Sequence, residues 1–161
     1  RLRNTRPTRY ISSAASDLYK RKVKLGPYCQ EMLRKNPELK IFVGSDSQNY
    51  PNKTLYATTV VFRYENNGAH VIFHKEATPL VTDMWTRLWG ELQRSIDVAG
   101  YLKFECDVPI EQIDLDLNSD PDFKSNRVFQ AAVGYAQRMG YKAKTKPDLL
   151  IATWAANVLV N

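Results

Sequence analysis

No apolar run in the sequence approaches the roughly 18 residues that a membrane-spanning helix needs, so no span is predicted and no membrane partner is expected. Cysteine is scarce: Cys29 and Cys106 lie far apart, without a CxxC pattern or a neighbouring histidine. That excludes a disulfide scaffold and a zinc site and fits a reducing compartment. Glycine is also sparse, 7 in 161 residues, and none of it forms a phosphate-cradling loop. With so short a chain, this argues against a two-lobed phosphotransferase. Internal repeats, low-complexity tracts and a second core pattern are missing. From Arg1 onward no signal-peptide pattern is visible, which leads to the expectation of a cytoplasmic protein.

What is present is ordinary in amount and uneven in placement. Hydrophobic residues make up 43% and charged residues 25%, as in soluble globular domains. The net charge of +6 is concentrated at one end. Residues 1–40 carry 11 Lys/Arg against 3 Asp/Glu, a balance of +8, whereas residues 41–161 carry 12 against 14, a balance of −2. A basic arm of this kind is either a solvated terminus or an electrostatic footprint for phosphate backbones.

The pattern predicts a basic arm and helical extension over residues 1–39, then one α/β domain over residues 40–161. Residues 13–24 are helix-friendly, and Gly26-Pro27 opens a second short helix that Asn36-Pro37 ends. β-Branched and aromatic runs predict strands at residues 40–44, 54–62 and 69–76. The loop at residues 49–53 and the turn Asn66-Asn67-Gly68 make them an antiparallel meander. Met84, Leu88, Leu92 and Ile96 then recur at helical spacing up to Gly100. A fourth strand is predicted at residues 112–117, a helix through Phe129 to Ala136, a short fifth strand at residues 141–143, and a last helix from Pro147 toward Val160. The body order is βββαβαβα, a mixed five-stranded sheet with packed helices.

Each acidic residue has a plain reading when taken alone. Asp46, in Gly44-Ser45-Asp46-Ser47-Gln48, suits a turn after the first strand. Glu91 suits an intrahelical pair with Arg87 or Arg94. Asp114 and Asp116 share one strand face, which an exposed face would explain. In a βββαβ sheet, however, the end of strand one, the facing helix and the end of strand four converge. Three carboxylates brought together repel unless cations neutralise them, and an all-oxygen set with few histidines favours Mg²⁺ or Mn²⁺. Two such ions can drive phosphodiester cleavage. The expectation is one accessible cluster of Asp46, Glu91 and Asp116.

The sequence resembles the ribonuclease H-like superfamily, and within it the bacterial YkuK-type ribonuclease H-like proteins. The resemblance rests on Gly44-Ser45-Asp46-Ser47-Gln48, on Leu115-Asp116-Leu117-Asn118 followed by Lys124-Ser125-Asn126-Arg127-Val128, on Ala131-Ala132-Val133-Gly134-Tyr135, and on Ala143-Lys144-Thr145-Lys146-Pro147-Asp148. It covers about residues 40–160. It implies a ribonuclease H fold and a metal-dependent nuclease acting on RNA or an RNA/DNA hybrid, with a noncatalytic module that binds nucleic acid or a protein as the alternative. Carried over, Asp46 is the strand-one acid, Glu91 the helix acid and Asp116 the strand-four acid, holding Mg²⁺ or Mn²⁺. Asn157 stands where the pattern has a fourth carboxylate, one negative charge fewer. Asp148 replaces it only if it points inward, and its place after Pro147 suits a helix N-terminus instead.

Lys124, Asn126 and Arg127 open a helix where positive charge and free N–H groups favour phosphate, and Lys146 extends that basic rim. Plain capping by Ser125 or Asn126 is the competing reading. Trp85 and Trp89, four apart, can stack on bases, but their spacing favours core or interface packing. His70 and His74 share a strand face with no metal partner and read as structural or surface residues.

Overall fold

A computed structural model describes residues 24–65 and 68–161. The basic arm, the predicted helix up to Val23 and the turn residues Asn66 and Asn67 lie outside the described residues. Helix α1 (Leu25–Lys35) leads into β1 (Lys40–Tyr50), β2 (Lys53–Arg63) and β3 (Ala69–Pro79). Helix α2 (Met84–Gly100), β4 (Gln112–Asn118), α3 (Asn126–Arg138), β5 (Ala143–Lys146) and α4 (Ile151–Val160) complete the chain. The five-stranded sheet has the order β3-β2-β1-β4-β5. The first three strands are antiparallel, while β4 pairs parallel to β1 and β5 parallel to β4. The mixed α/β sheet expected from the sequence is the fold observed.

Strand β1 is central and buried on both faces, so side-chain alternation assigns each residue to a layer. Ile41 and Val43 join the main core with Leu88, Leu92 and Ile96 of α2 and with Val128, Ala132 and Ala136 of α3. Phe42 points the other way and packs on Ala152 of α4. Helix α1 enters the main core through Cys29, and the Tyr28 hydroxyl meets His70 Nε2 at 2.8 Å. His70 is thus structural.

Several boundaries differ from expectation, each for a local reason. β1 does not stop before Asp46, because its pairing with β2 continues unbroken to Tyr50 opposite Lys53. Asp46 is therefore a strand residue and not a turn-former. Helix α2 ends at Gly100 as expected, but Gly100 keeps a right-handed φ of −63° and the winding does not stop there. The chain continues into a π-helical turn, Tyr101–Glu105, that buries Leu102. Met84, expected on the buried stripe, is exposed. Tyr141 turns into the core, so β5 begins at Ala143.

Helix α4 starts at Ile151, not at Pro147, because its N-terminus is capped from across the sheet. Asp114 Oδ2 accepts from Ala152 N at 2.7 Å, and Gln112 Nε2 donates to Asp114 Oδ1 at 2.6 Å. Burial pushes the Asp114 carboxyl upward, and the Ala152 N–H opposes it. Thr59 Oγ1 donates to Ala152 O at 2.8 Å, and Tyr50 donates to Val160 O at 2.6 Å, so both ends of α4 are fixed. The seat is tight: a Cβ on Gly44 would lie 2.8 Å from Thr153 N and 2.9 Å from Ala152 Cβ. Gly44→Ala is expected to lift α4 and cost about 1–3 kcal/mol by overpacking. Thermal unfolding checks this, and an unchanged midpoint would show that α4 gives way freely.

Candidate active site at the end of strand β1

Successive residues of β1 point to opposite faces, and the site straddles the sheet for that reason. Asp46 faces α4, where its Oδ2 accepts from Asn157 Nδ2 at 2.8 Å and its Oδ1 from Ser47 N at 2.8 Å. Ser47 faces α2, where its hydroxyl donates to Glu91 Oε1 at 2.5 Å. Arg87, one turn before Glu91, donates from Nη1 to Ser47 O at 2.9 Å and to Ser47 Oγ at 2.8 Å. The same Nη1 lies 3.6 Å from Glu91 Oε1. Ser47 therefore couples the two acids. Behind it, Ser95 Oγ is 3.1 Å from Ser45 Oγ, which donates to Thr58 Oγ1 at 3.0 Å.

The expected accessible cluster is corrected in two respects. Asp46 and Glu91 are buried, at 8% and 6% exposure. They also approach from opposite sides of the sheet end. They nevertheless feel one another: burial pushes Asp46 up, with Asp116 adding to the rise and Asn157 and Ser47 opposing it. Burial pushes Glu91 up to about 8, opposed by the Ser47 hydroxyl and raised further by Asp46 and Asp116. Glu91 and Asp116 line one narrow crevice with Ser45 and Ser95, of about 10 Å³, room for about one water. Asp116 is half-exposed, and its Oδ1 holds Lys146 Nζ at 2.5 Å.

Among the described residues no three acidic, histidine or cysteine side chains stand in position to hold a metal ion. The donor chemistry nonetheless fits a hard dication. Every candidate ligand offers oxygen, the buried acids lack a full complement of positive charge, and the Lys146 ammonium already occupies a cation's place on Asp116. Lys146 and the Asn157 amide now hold the oxygens that such an ion would need.

The remaining residues singled out in the sequence divide between the core and the rim. Ser125 Oγ accepts from Asn118 N at 3.1 Å, and Asn126 Nδ2 donates to Ser119 O at 2.7 Å. Both side chains tie β4 to α3 instead of capping the helix. Lys124 and Arg127 line an open cleft against Trp85. Asp148 is exposed, and Asp114 caps α4 in its stead. Ser47 and Arg87 were not foreseen as site residues. A strand continuing through Asp46 would have given the signal, since it sends Ser47 toward the helix that bears Arg87 and Glu91.

A mixed sheet in the order β3-β2-β1-β4-β5, with acidic residues within the neighbouring strands β1 and β4 and on helix α2, defines a ribonuclease H-like α/β protein. The chain belongs to the Ribonuclease H-like family, whose model matches residues 28–160, and the YkuK type is consistent with that family. No curated protein and no solved structure matches the chain. Family membership supports a nuclease or a nucleic-acid-binding module. Among the described residues no helix is long and apolar enough to cross a membrane.

Proposed function

We propose that the chain is a divalent-metal-dependent nuclease that hydrolyses phosphodiester bonds in RNA or an RNA/DNA hybrid, with Asp46, Glu91 and Asp116 as ligands to Mg²⁺ or Mn²⁺. The observation that carries this reading is the geometry of the acids: Ser47 bonds both Asp46, through its N–H, and Glu91, through its hydroxyl, and Asp116 lines the same crevice as Glu91. A bound ion pair would supply the charge that stabilises the attacking and leaving oxygens at phosphorus. The protein's own groups do the rest. The Ser47 N–H and Asn157 amide fix the orientation of Asp46, and Arg87 holds Ser47 against Glu91. Lys146, half-exposed, can exchange Asp116 for a substrate phosphate. Lys124, Asn126 and Arg127 extend the basic rim. Residues 1–39 add charge for the nucleic-acid backbone, and residues 40–161 carry the chemistry. The free, buried cysteines suit a cytoplasmic setting.

The test is cleavage of single-stranded, duplex and hybrid substrates with Mg²⁺, Mn²⁺ or chelator, with Asp46→Asn as control. Metal-dependent hydrolysis lost in that variant supports the proposal. Binding without hydrolysis favours a noncatalytic nucleic-acid module, a second reading supported by the Lys146–Asp116 ion pair and by the amide at position 157.

Asn157→Asp probes the missing charge. It replaces a hydrogen bond to Asp46 with two facing carboxylates, so without metal the midpoint of unfolding should fall. With Mn²⁺ the same change adds a ligand, and affinity should rise by at least about tenfold. Titration calorimetry measures both affinity and stoichiometry. If neither moves, position 157 is not a weakened metal position.

A further inference from the structure

On the side of α2 that meets α3, Trp85 and Trp89 stack in parallel, with ring centroids 6.0 Å apart and planes within 5°. Trp89 in turn stacks on Tyr135 of α3, at 5.7 Å and 30°. Trp89 is the packed member, and Trp85 remains 45% exposed. Beside it opens a cleft of about 260 Å³ lined by Asp83, Met84, Trp85, Lys124, Arg127 and Val128. The Asp83 carboxylate already accepts from Thr86 N and Thr86 Oγ1, both at 2.7 Å, as the cap of α2. Among the described residues neither Lys124 nor Arg127 is in an ion pair, so two cations face a cleft whose single acid is engaged.

We propose that this cleft binds one unpaired nucleobase on Trp85 with its adjoining phosphate on Lys124 and Arg127, making single-stranded nucleic acid the preferred ligand. An exposed indole backed by a second indole is a rigid stacking platform, and stacking is tolerant of base identity. Paired cations at its edge supply the phosphate contact. The volume is below that of pockets for drug-sized ligands, enough for one base and not for a duplex. Paired bases have both faces covered inside their own stack and cannot use the platform. Trp85 precedes Glu91 by six residues, about 9 Å of helix rise, so a strand seated here runs close to the acidic site. The inference rests on the nucleic-acid reading and adds the strand state to it.

The test is equilibrium binding to the full chain in chelator, so that cleavage plays no part. The probes are a short single-stranded oligoribonucleotide, the corresponding duplex and a nucleoside monophosphate, with Trp fluorescence and anisotropy as readouts. Trp85→Ala should weaken single-strand binding by roughly 5- to 150-fold. Duplex binding should change by less than about twofold, and Trp85→Phe, which keeps a ring, should retain most of the affinity. Replacing Lys124 and Arg127 with Ala should make the single-strand salt slope shallower by about 0.7, one phosphate's worth. Melting curves verify that each variant folds. Unchanged single-strand affinity in Trp85→Ala, or an equal loss on the duplex, overturns the cleft proposal while leaving nucleic-acid binding intact. A monophosphate bound as tightly as the oligonucleotide overturns the assignment to a strand. If the wild type binds none of the probes, the nucleic-acid reading itself fails.

Discussion

An Asp46→Asn variant is expected to fold normally and to lose metal-dependent cleavage by about 100-fold or more. Ion-mediated stabilisation of a phosphoryl transition state amounts to several kcal/mol, and each 1.36 kcal/mol is tenfold in rate. Stability should survive because the wild-type carboxylate is buried and burial already disfavours its charge. The asparagine oxygen can keep accepting from the Ser47 N–H. Its amide nitrogen then faces Asn157, whose own amide rotates to present oxygen in place of nitrogen. Rates and melting curves must be collected together. A rate within about twofold of wild type, in a folded variant, would remove Asp46 from the ligand set and the nuclease proposal with it.

The layout of the sheet was readable because hydrophobic period alone separates the strands from α2 and α3. The Met84-Leu88-Leu92-Ile96 spacing and the meander turns required no tertiary knowledge. What was not readable depends on contacts far apart in sequence. Asp114 looked like one half of an exposed acidic pair with Asp116, yet its partner is a backbone N–H 38 residues away at the start of α4. Alternation places both aspartates on one strand face; burial differs because α4 covers only the first. Lys146 looked like a rim cation, but the parallel pairing of β5 with β4 brings it onto Asp116. Gly44 appeared as a small neighbour that leaves Asp46 uncrowded. Its role is to let α4 approach β1 closely enough to bring Asn157 onto Asp46. The sequence pattern joins Asp46, Glu91 and Asp116 in one expected cluster, whereas among the described residues no three acidic side chains stand in position to hold a metal ion. That two of them reach the site from opposite faces depended on where β1 ends.

Glu91→Gln should stabilise the protein progressively as pH rises, with no effect near pH 4 and a plateau above about pH 8. The Glu91 carboxyl, ordinarily near 4.5, is raised to about 8 in the folded chain, chiefly by burial. Between those two values the folded state holds a proton that the unfolded state has released. Unfolding then releases protons, so stability falls as pH climbs through that window and is flat beyond it. Glutamine cannot ionise and escapes the fall, while its Oε1 can still accept from the Ser47 hydroxyl. The other raised carboxyls, Asp46 and Asp114, are present in both proteins and largely cancel in the difference between them. One pKa unit corresponds to 1.36 kcal/mol, so the rise to about 8 places the plateau at roughly 5 kcal/mol and the gain in midpoint at roughly 10–20 °C. Melting curves of both proteins from about pH 4 to about pH 9 measure it. Mn²⁺ adds a second axis to the same experiment. If Glu91 is a ligand, the ion should restore wild-type stability at the alkaline end and give the glutamine variant much less. A pH-independent difference would mean that Glu91 stays ionised in the folded state, held by Arg87, and that the site does not carry the unbalanced negative charge on which the metal proposal rests.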